Sequence, residues 1–554
     1  MYDHRASLSY EEKMALIEEH GFSDVESEGS SSSSSNHVPP YRSNIFSAWS
    51  RPAAKSSLRV KEWASSFRFN ISDVPTPPLP AWTSFLWRAL IFLLPSFTHR
   101  LFQRTPLSSD RIPRKPGPTA YLDGMRGLAA LFVCHCHYFY GAYQIATGWG
   151  QDHANYDFWR LPFVRLLYAG PTMVCVFFVV SGYALSLKPM KQIRGRAWDG
   201  LSQTMASFTF RRAFRLYLPP TVSTLTILAL VRLGAYEGTR EFAGDPEFMR
   251  NVMEPHGVDL EPTTWLQLKS WGWDWFEFVQ VFGNDRFPYD VHLWTIPLEF
   301  RCSMVLFLTL FGTSRLRTGA RFFVVALLAW FALRYNHWGM VLFFAGVIFA
   351  ELDLIRGVFE PAPSSTTHRG AFLPVDEEQM KKNVSGSWSQ LGSKVMTGAW
   401  TLTGVLALYL MSAPDSGCDA TPGYMTLGLY IPEWFDEKYR WWQAWGSILF
   451  VFCTARSPLW QRFFTTPVVQ YFGHISYAIY LVHNFAIHTL GYAVQQWAFS
   501  LTGTEPGMFN NGAALAAVIN IPIVIWVADI FWRAVDAPIV RFTKWLEGRL
   551  IVQE

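Results

Sequence analysis

Long apolar segments recur along this chain from residue 119 to residue 535. A helix needs about 20 mainly apolar residues to cross the hydrocarbon core of a bilayer. Backbone groups in lipid must be bonded within the protein, which favours helices. With 50% hydrophobic and only 16% charged residues, we predict an all-α, polytopic membrane protein with about ten transmembrane helices. The predicted spans are 119–141, 166–187, 208–234, 292–312, 321–336, 338–354, 395–412, 441–455, 471–492 and 513–535.

Basic residues in the short connections predict how these spans are oriented. Lys188 and Arg194 follow the second span, and Arg315 follows the fourth. Because basic flanks are retained on the cytosolic side, these connections are expected to be cytosolic. The connection 492–512 has no Lys or Arg and is expected to lie outside. The alternation places both termini in the cytosol.

The chain ahead of the first span is polar. Six consecutive serines begin at Ser30. The N-terminus does not begin with basic residues followed by an apolar core, so no cleavable signal peptide is expected. The short apolar segment 81–97 is predicted to be an interfacial helix, with an eleventh span as the alternative. The predicted organisation is a disordered Ser/Pro-rich region at 1–80, an interfacial helix and basic linker at 81–118, a membrane domain at 119–545 and a cytosolic tail at 546–554.

The first span carries ionisable side chains although it must cross lipid. Arg126 lies near its cytosolic end, and His137 follows eleven residues later. At about 100° and 1.5 Å per residue, His137 returns to the face of Arg126 about 16 Å deeper in the membrane. His135 points to the opposite face, which assigns it a supporting or structural role. A lone arginine here would be read as a snorkelling anchor.

The third span begins with FTFRRAFRLYLPP and adds three more guanidinium groups. Arg211, Arg212 and Arg215 reach the same membrane boundary as Arg126. Guanidinium groups donate paired hydrogen bonds to phosphate oxygens, so their convergence predicts a polyphosphate site. The alternative is that the triplet only orients the helix.

The fourth and ninth spans contribute buried polar groups on the other side of the membrane. His292 and Glu299 are seven residues apart and share a helix face, and HISYAIYLVHNFAIH places Ser476, Tyr480 and His483 along one stripe. Polar groups in lipid usually serve a site or a partner, although a single histidine is as often structural. The candidate catalytic residues are His137, Glu299, His292 and His483. No short-spaced metal motif is present, and no metal is expected.

These segments resemble a known family. YLDGMRGLAALFVCHCHYF resembles the opening signature of the acyltransferase-3 family of integral membrane O-acyltransferases, including its fungal-type members. The matching motifs that follow in order are FFVVSGYALS (177–186), FTFRRAFRLYLPP (208–220), HLWTIPLEF (292–300), ISYAIYLVH (475–483) and DAPIVRF (536–542). Thr295 stands where the family commonly has serine, and Asp536 where glutamate is frequent.

The resemblance covers residues 119–545 and implies a ten-helix domain that passes an acyl group from cytosolic acyl-CoA to a hydroxyl near the outer face. It implies functional roles for Arg126, His137 and the arginines of the third span. The supporting candidates are His135, Ser181, Trp294, Ser476 and Tyr480.

The predicted function is therefore that of a membrane O-acyltransferase, an enzyme transferring groups other than aminoacyl groups. The expected donor is acyl-CoA, with acetyl as its group, and the acceptor is a hydroxyl of a glycan, a lipid or a small molecule. Arg126, Arg211, Arg212 and Arg215 would bind the CoA phosphates, and His137 would remove the acceptor proton. Glu299 or His292 would orient that imidazole or bind the acceptor, and a covalent acyl-histidine is the alternative route.

A proton-coupled or small-molecule transporter is the alternative function, because buried histidines and carboxylates also serve proton relays. The first-helix motif is not repeated, which is less typical of transporters. A net charge of only +4 gives no indication of a nucleic-acid partner. The expected location is the endomembrane system or plasma membrane of a eukaryote.

Overall fold

A computed structural model of the protein describes residues 87, 89–99, 117–254, 256, 258–281, 283, 287–359 and 387–551. The region 1–80, predicted to be disordered, lies outside these residues, as does most of the basic linker. Within the segment predicted to be interfacial, residues 89–93 are helical and a 3₁₀ turn follows at Ser96–Thr98.

Helices and short turns make up the described part of the chain, which contains no strand. The helices are α1 (Ala120–Phe139), α2 (Gly170–Arg194), α3 (Trp198–Arg232), α4 (Glu237–Ala243), α5 (Thr264–Val279), α6 (Thr295–Gly312), α7 (Thr318–Arg334), α8 (Trp338–Ile355), α9 (Ser387–Met411), α10 (Met425–Gly428), α11 (Arg440–Thr454), α12 (Pro458–Phe464), α13 (Pro467–Ala486), α14 (Tyr492–Thr502), α15 (Phe509–Phe531) and α16 (Ala537–Leu550). A 3₁₀ turn, Val291–Trp294, leads into α6. The π-helical turns Ile487–Gly491 and Trp532–Asp536 join α13 to α14 and α15 to α16.

Each of the ten predicted spans coincides with a helix, with ends that differ by several residues. Six helical segments within the described ranges are long and apolar enough to cross a membrane: Gly170–Arg194, Trp198–Arg232, Val291–Gly312, Trp338–Ile355, Lys394–Met411 and Phe509–Leu550. The described part of the protein is thus all-helical and has the helices expected of a membrane protein. The count of ten spans and the cytosolic termini stay predictions.

Glycines bring α1 and α13 into close contact. A Cβ atom added to Gly127 would lie 2.3 Å from the backbone nitrogen of Gly473, and one added to Gly473 would lie 2.7 Å from the carbonyl oxygen of Asp123. Small residues let helix backbones approach in a membrane, where apolar side chains gain little by leaving lipid. This packing holds the face of α1 that carries Arg126 against α13.

A second glycine contact joins α2 to α8. A Cβ atom on Gly182 would lie 2.3 Å from the Phe343 carbonyl oxygen, and one on Gly346 would lie 2.4 Å from that of Val179. Val179 and Phe343 are themselves fully buried. The close approach of α8 gives α2 a rigid backing, and the opposite side of α2 forms one wall of the cavity described below.

The long connection between α3 and α6 is partly helical and packs on α3. The indole N–H groups of Trp271 and Trp275 in α5 donate to the hydroxyls of Thr224 and Thr221 at 3.2 and 2.9 Å. The connection ends at Asp290, whose side chain caps the 3₁₀ turn before α6 by accepting from the His292 backbone N–H at 3.0 Å. Residue 292 is therefore held at the start of α6.

Candidate functional site

Three histidines from separate parts of the chain converge at one point, which we call the histidine cluster: His137, His292 and His483. His137 is in the last turn of α1, His292 in the 3₁₀ turn before α6 and His483 in the last turn of α13. The ring centroid of His137 lies 3.9 Å from that of His292 and 5.1 Å from that of His483. The centroids of His292 and His483 are 5.3 Å apart. Three of the four residues predicted to be catalytic thus lie together.

Hydrogen bonds to residues outside the cluster orient two of its rings. Nδ1 of His292 lies 3.2 Å from Oδ1 of Asp290, and Nδ1 of His483 lies 3.2 Å from the Ile479 carbonyl oxygen. Both oxygens accept hydrogen bonds, so each Nδ1 carries the proton and each Nε2 presents a lone pair. Nε2 of His483 is buried and has no hydrogen-bond partner among the described residues. The cluster can therefore accept a proton at its centre.

Sequence reasoning missed Asp290. Asp290 falls between the predicted third and fourth spans, yet it is only 1% exposed and its carboxylate lies beside the His292 ring. The signal was present in the sequence, since an Asp two residues before a His at the start of a helix can cap the turn and orient the ring.

A cavity of about 130 Å³ lies between α1, α2, α3, α6 and α13. Its polar lining comprises Arg126, Ser181, Arg212, Arg215, Thr295, Glu299, Ser476, Tyr477 and Tyr480, and its apolar lining comprises Val133, Val174, Phe177, Phe178, Ala184, Leu185, Leu216 and Ile296. Along α1 the cavity runs from Arg126 to Val133, one turn before His137. The described structure thus places three of the four predicted arginines around one space.

Arg212 and Glu299 form an ion pair in the wall of this cavity. Arg212 donates from Nη2 to Oε1 of Glu299 at 2.7 Å and from Nε to the Ser303 hydroxyl at 3.0 Å. The Ser181 hydroxyl donates to the same Glu299 oxygen at 2.9 Å. Glu299, predicted to be catalytic, therefore lies with the arginines rather than with the histidine cluster.

Arg126 and Arg211 have different surroundings. Arg126 donates to the Ser476 hydroxyl at 3.3 Å, which joins α1 to α13 inside the cavity. Arg211 is outside the cavity lining and pairs with Glu547 of α16 at 3.3 Å.

Two carboxylates lie near the cavity arginines: Asp123, which sequence reasoning did not single out, and Asp536, which it noted only as a departure from the family motif. Asp123 and Asp536 each interact electrostatically with Arg126 and Arg215. Asp536 is only 1% exposed at the end of the π-helical turn before α16. The arginine end of the cavity therefore carries both basic and acidic groups, whose charges partly cancel.

Tyr480 and Thr295 stand between the cavity and the histidine cluster. Both line the cavity, and their hydroxyl oxygens are 2.6 Å apart. The Tyr480 hydroxyl also donates to the His292 carbonyl oxygen at 2.5 Å. The cavity therefore ends at the backbone of His292, and its lining includes none of the three rings of the histidine cluster.

The two remaining supporting candidates lie outside the cavity. Nδ1 of His135 is 3.1 Å from the Leu167 carbonyl oxygen, which agrees with its predicted position on the opposite face of α1. The guanidinium group of Arg440 lies over the Trp294 ring at 5.5 Å. Both residues help to hold neighbouring segments in place.

The connection between α3 and α6 brings two more ionisable groups towards Asp290 and His292. Burial raises the pKa of Glu254, which interacts electrostatically with both residues. Burial also lowers the pKa of His256, whose ring stacks on Tyr236 with centroids 4.0 Å apart. Both shifts favour the uncharged form beside the cluster.

Known proteins match most of this chain. A family model described as an acyltransferase domain matches residues 119–533. O-acetyltransferase PaAT-1 of Phomopsis amygdali is 30% identical over 514 residues, which cover 88% of this chain and 94% of that protein. Acyltransferase clz18 of Cochliobolus lunatus is 26% identical, and acyltransferase R4 of a Phoma species is 24% identical; each match covers 77% of this chain and 95% of the relative. No solved structure matches.

Proposed function

Because the chain belongs to the acyltransferase family whose domain spans residues 119–533, we propose that it moves an acyl group from acyl-CoA to a hydroxyl group of its acceptor. It is a membrane acyltransferase, which leaves the transporter alternative without support. We take acetyl as the transferred group, since one relative is named as an O-acetyltransferase. The acceptor is a glycan, a lipid or a small molecule, and the enzyme resides in the endomembrane system or plasma membrane.

The donor binds with its phosphates at the arginine end of the cavity. Arg126 and Arg215 supply guanidinium groups there, and Arg212 braces Glu299 while adding its own charge. Guanidinium groups suit this role because they stay protonated and pair with two phosphate oxygens at once. The pantetheine arm then follows the apolar wall towards Tyr480 and Thr295.

The acyl transfer takes place at the histidine cluster. His137 accepts the proton of the acceptor hydroxyl as its oxygen attacks the thioester carbonyl carbon. The C–S bond then breaks, and the proton returns from the imidazolium to the CoA thiolate. Asp290 orients His292, which with His483 surrounds the reacting groups. Such positioning, together with proton transfer, is what an already activated thioester requires of the protein.

One observation carries this proposal: a single cavity runs from Arg126, Arg212 and Arg215 to the hydroxyl pair of Tyr480 and Thr295, and Tyr480 donates to the backbone carbonyl of His292. The arrangement separates a phosphate-binding end from a proton-accepting end. An acyl-CoA donor has the same division, with phosphates at one end and a thioester at the other.

The test is acetyl transfer in membranes that contain the full chain. Labelled acetyl-CoA is supplied with a panel of hydroxylated metabolites, glycans and lipids, and products are detected by mass spectrometry. We expect a product that carries one added acetyl group and whose formation depends on acetyl-CoA. Absence of donor-dependent product from every class, with the protein intact, would contradict the proposal.

A further inference from the structure

The histidine cluster has the donor set of a metal site. His137, His292 and His483 each offer one ring nitrogen, and these three nitrogens lie within 4.8 Å of one another. Neutral imidazole is the commonest metal ligand in proteins. Three histidines with an open fourth position are an arrangement that zinc adopts.

The surroundings of the rings match those of ligating histidines. Metal-bound histidines usually donate their other ring N–H to a carboxylate or a backbone carbonyl. Asp290 takes this place at Nδ1 of His292, and the Ile479 carbonyl takes it at Nδ1 of His483. His483 is fully buried, and its Nε2 has no hydrogen-bond partner among the residues described. Each of these two rings therefore presents an Nε2 lone pair beside its neighbours in the cluster, which favours a cation.

We propose that His137, His292 and His483 bind a divalent metal ion of the zinc type, and that the bound metal blocks acyl transfer. All donors are nitrogens, which suit zinc and its transition-metal neighbours, whereas magnesium and calcium prefer oxygen ligands. The sequence indicated no metal because the three ligands come from α1, the turn before α6 and α13 rather than from a short motif.

The block follows from competition for one electron pair. A metal ion on His137 occupies a ring lone pair that proton acceptance also requires. It also fills the centre of the cluster, where the acceptor hydroxyl must enter. The proposed block of acyl transfer rests on the proposed function, whereas metal binding itself does not.

Zinc binding is measured on the full chain, purified in detergent through a histidine-free affinity tag and stripped with EDTA. Equilibrium dialysis with zinc, followed by metal analysis, is expected to give one zinc per chain in the wild type. His137→Ala and His483→Gln should lose this ion, and Asp290→Asn should bind zinc about 10- to 100-fold more weakly. His135→Ala is the matched control on α1, because its ring is held by the Leu167 carbonyl, and should keep the ion.

Cobalt absorption by the wild-type protein tests the ligand set without relying on the folding of a variant. Nitrogen-ligated tetrahedral or five-coordinate cobalt bands, displaced by zinc, support the site; purely octahedral cobalt overturns it. Equal zinc in the wild type and both histidine variants would also overturn it.

Transfer assays separate this inference from the proposed function. We expect acetyl transfer by the wild type to fall with zinc and to recover with EDTA. If zinc binds at the cluster while transfer continues unchanged, the block is wrong although the proposed function stands. If EDTA abolishes transfer and zinc restores it, the metal is a required group and both the block and the role of His137 as base are wrong.

Discussion

His137 provides the first prediction at the level of single residues. General base catalysis typically contributes about 10²- to 10⁴-fold, so His137→Ala should lower acetyl transfer by that factor. Donor binding should persist, because the arginines at the far end of the cavity are untouched. Labelled acetyl-CoA measures both quantities in the same membranes. His337→Ala, at an exposed histidine just before α8, is the control, and equal activity of the two variants would exclude a base at residue 137.

Arg211 and Arg215 allow a matched comparison on one helix. Arg215 lines the cavity, whereas Arg211 pairs with Glu547 outside its lining. Charge-assisted hydrogen bonds contribute about 1.5–3 kcal/mol, so Arg215→Ala should weaken acetyl-CoA binding about 10- to 100-fold. Arg211→Ala should weaken it less. Titration with labelled acetyl-CoA measures the affinity of both variants. A larger loss of affinity with Arg211→Ala would place the donor phosphates beside Arg211, outside the cavity.

Helix periodicity predicted part of the site at this scale. It placed Arg126 and His137 on one face of α1; in the structure Arg126 lines the cavity and His137 lies in the histidine cluster. The sequence also grouped Arg211 with Arg215 at one membrane boundary, but the structure separates their surroundings because Glu547 comes from α16, far along the chain. Periodicity within one helix does not predict which later helix covers which turn.

Helix contacts make a prediction at the level of elements. A Cβ on Gly127 would press into the Gly473 backbone, which has no flexible side chain to move aside. Gly127→Ala should therefore destabilise the protein by about 1–3 kcal/mol and lower acetyl transfer, because α1 must shift against α13. Thermal unfolding in detergent measures the first effect.

Gly398→Ala is the control for this substitution. Gly398 lies within α9, and no atom is within 4 Å of its added Cβ. An alanine there should leave stability unchanged or raise it slightly, because alanine favours helix more than glycine does. Equal melting temperatures for the wild type and Gly127→Ala would show that the contact between α1 and α13 tolerates an added methyl group.

Hydrophobic segments predicted which parts of the chain are helical, but not how far each helix extends. The third span was expected at 208–234, whereas α3 begins at Trp198, because its first turns continue the helix with polar and charged residues. Residues 492–502 were assigned to a connection, whereas the π-helical turn Ile487–Gly491 carries the chain on into α14. Hydropathy indicates which segments are apolar enough to contact lipid. It does not predict these helix extensions, because they depend on backbone geometry and packing.

Orientation in the membrane is a prediction for the whole molecule. If both termini are cytosolic, the sequons at Asn70 and Asn383 lie in the cytosol and carry no N-glycan. Glycosidase treatment should therefore leave the mobility of the protein unchanged. A glycan at Asn383 would invert the predicted topology.

Cysteine labelling of sealed membrane vesicles provides the second readout of orientation. An impermeant maleimide should reach Glu505→Cys from the outer side and Arg317→Cys only from the cytosolic side. Both positions are exposed, so a difference in labelling reports sidedness rather than burial.

The three rings of the histidine cluster come from an early, a middle and a late helical segment of the chain. During synthesis the ribosome delivers α1 to the membrane long before His483 has been made. A nascent or truncated product that ends before α13 therefore lacks one ring of the proposed reactive centre. On the proposed function, thioester chemistry therefore becomes possible only after α13 has been made.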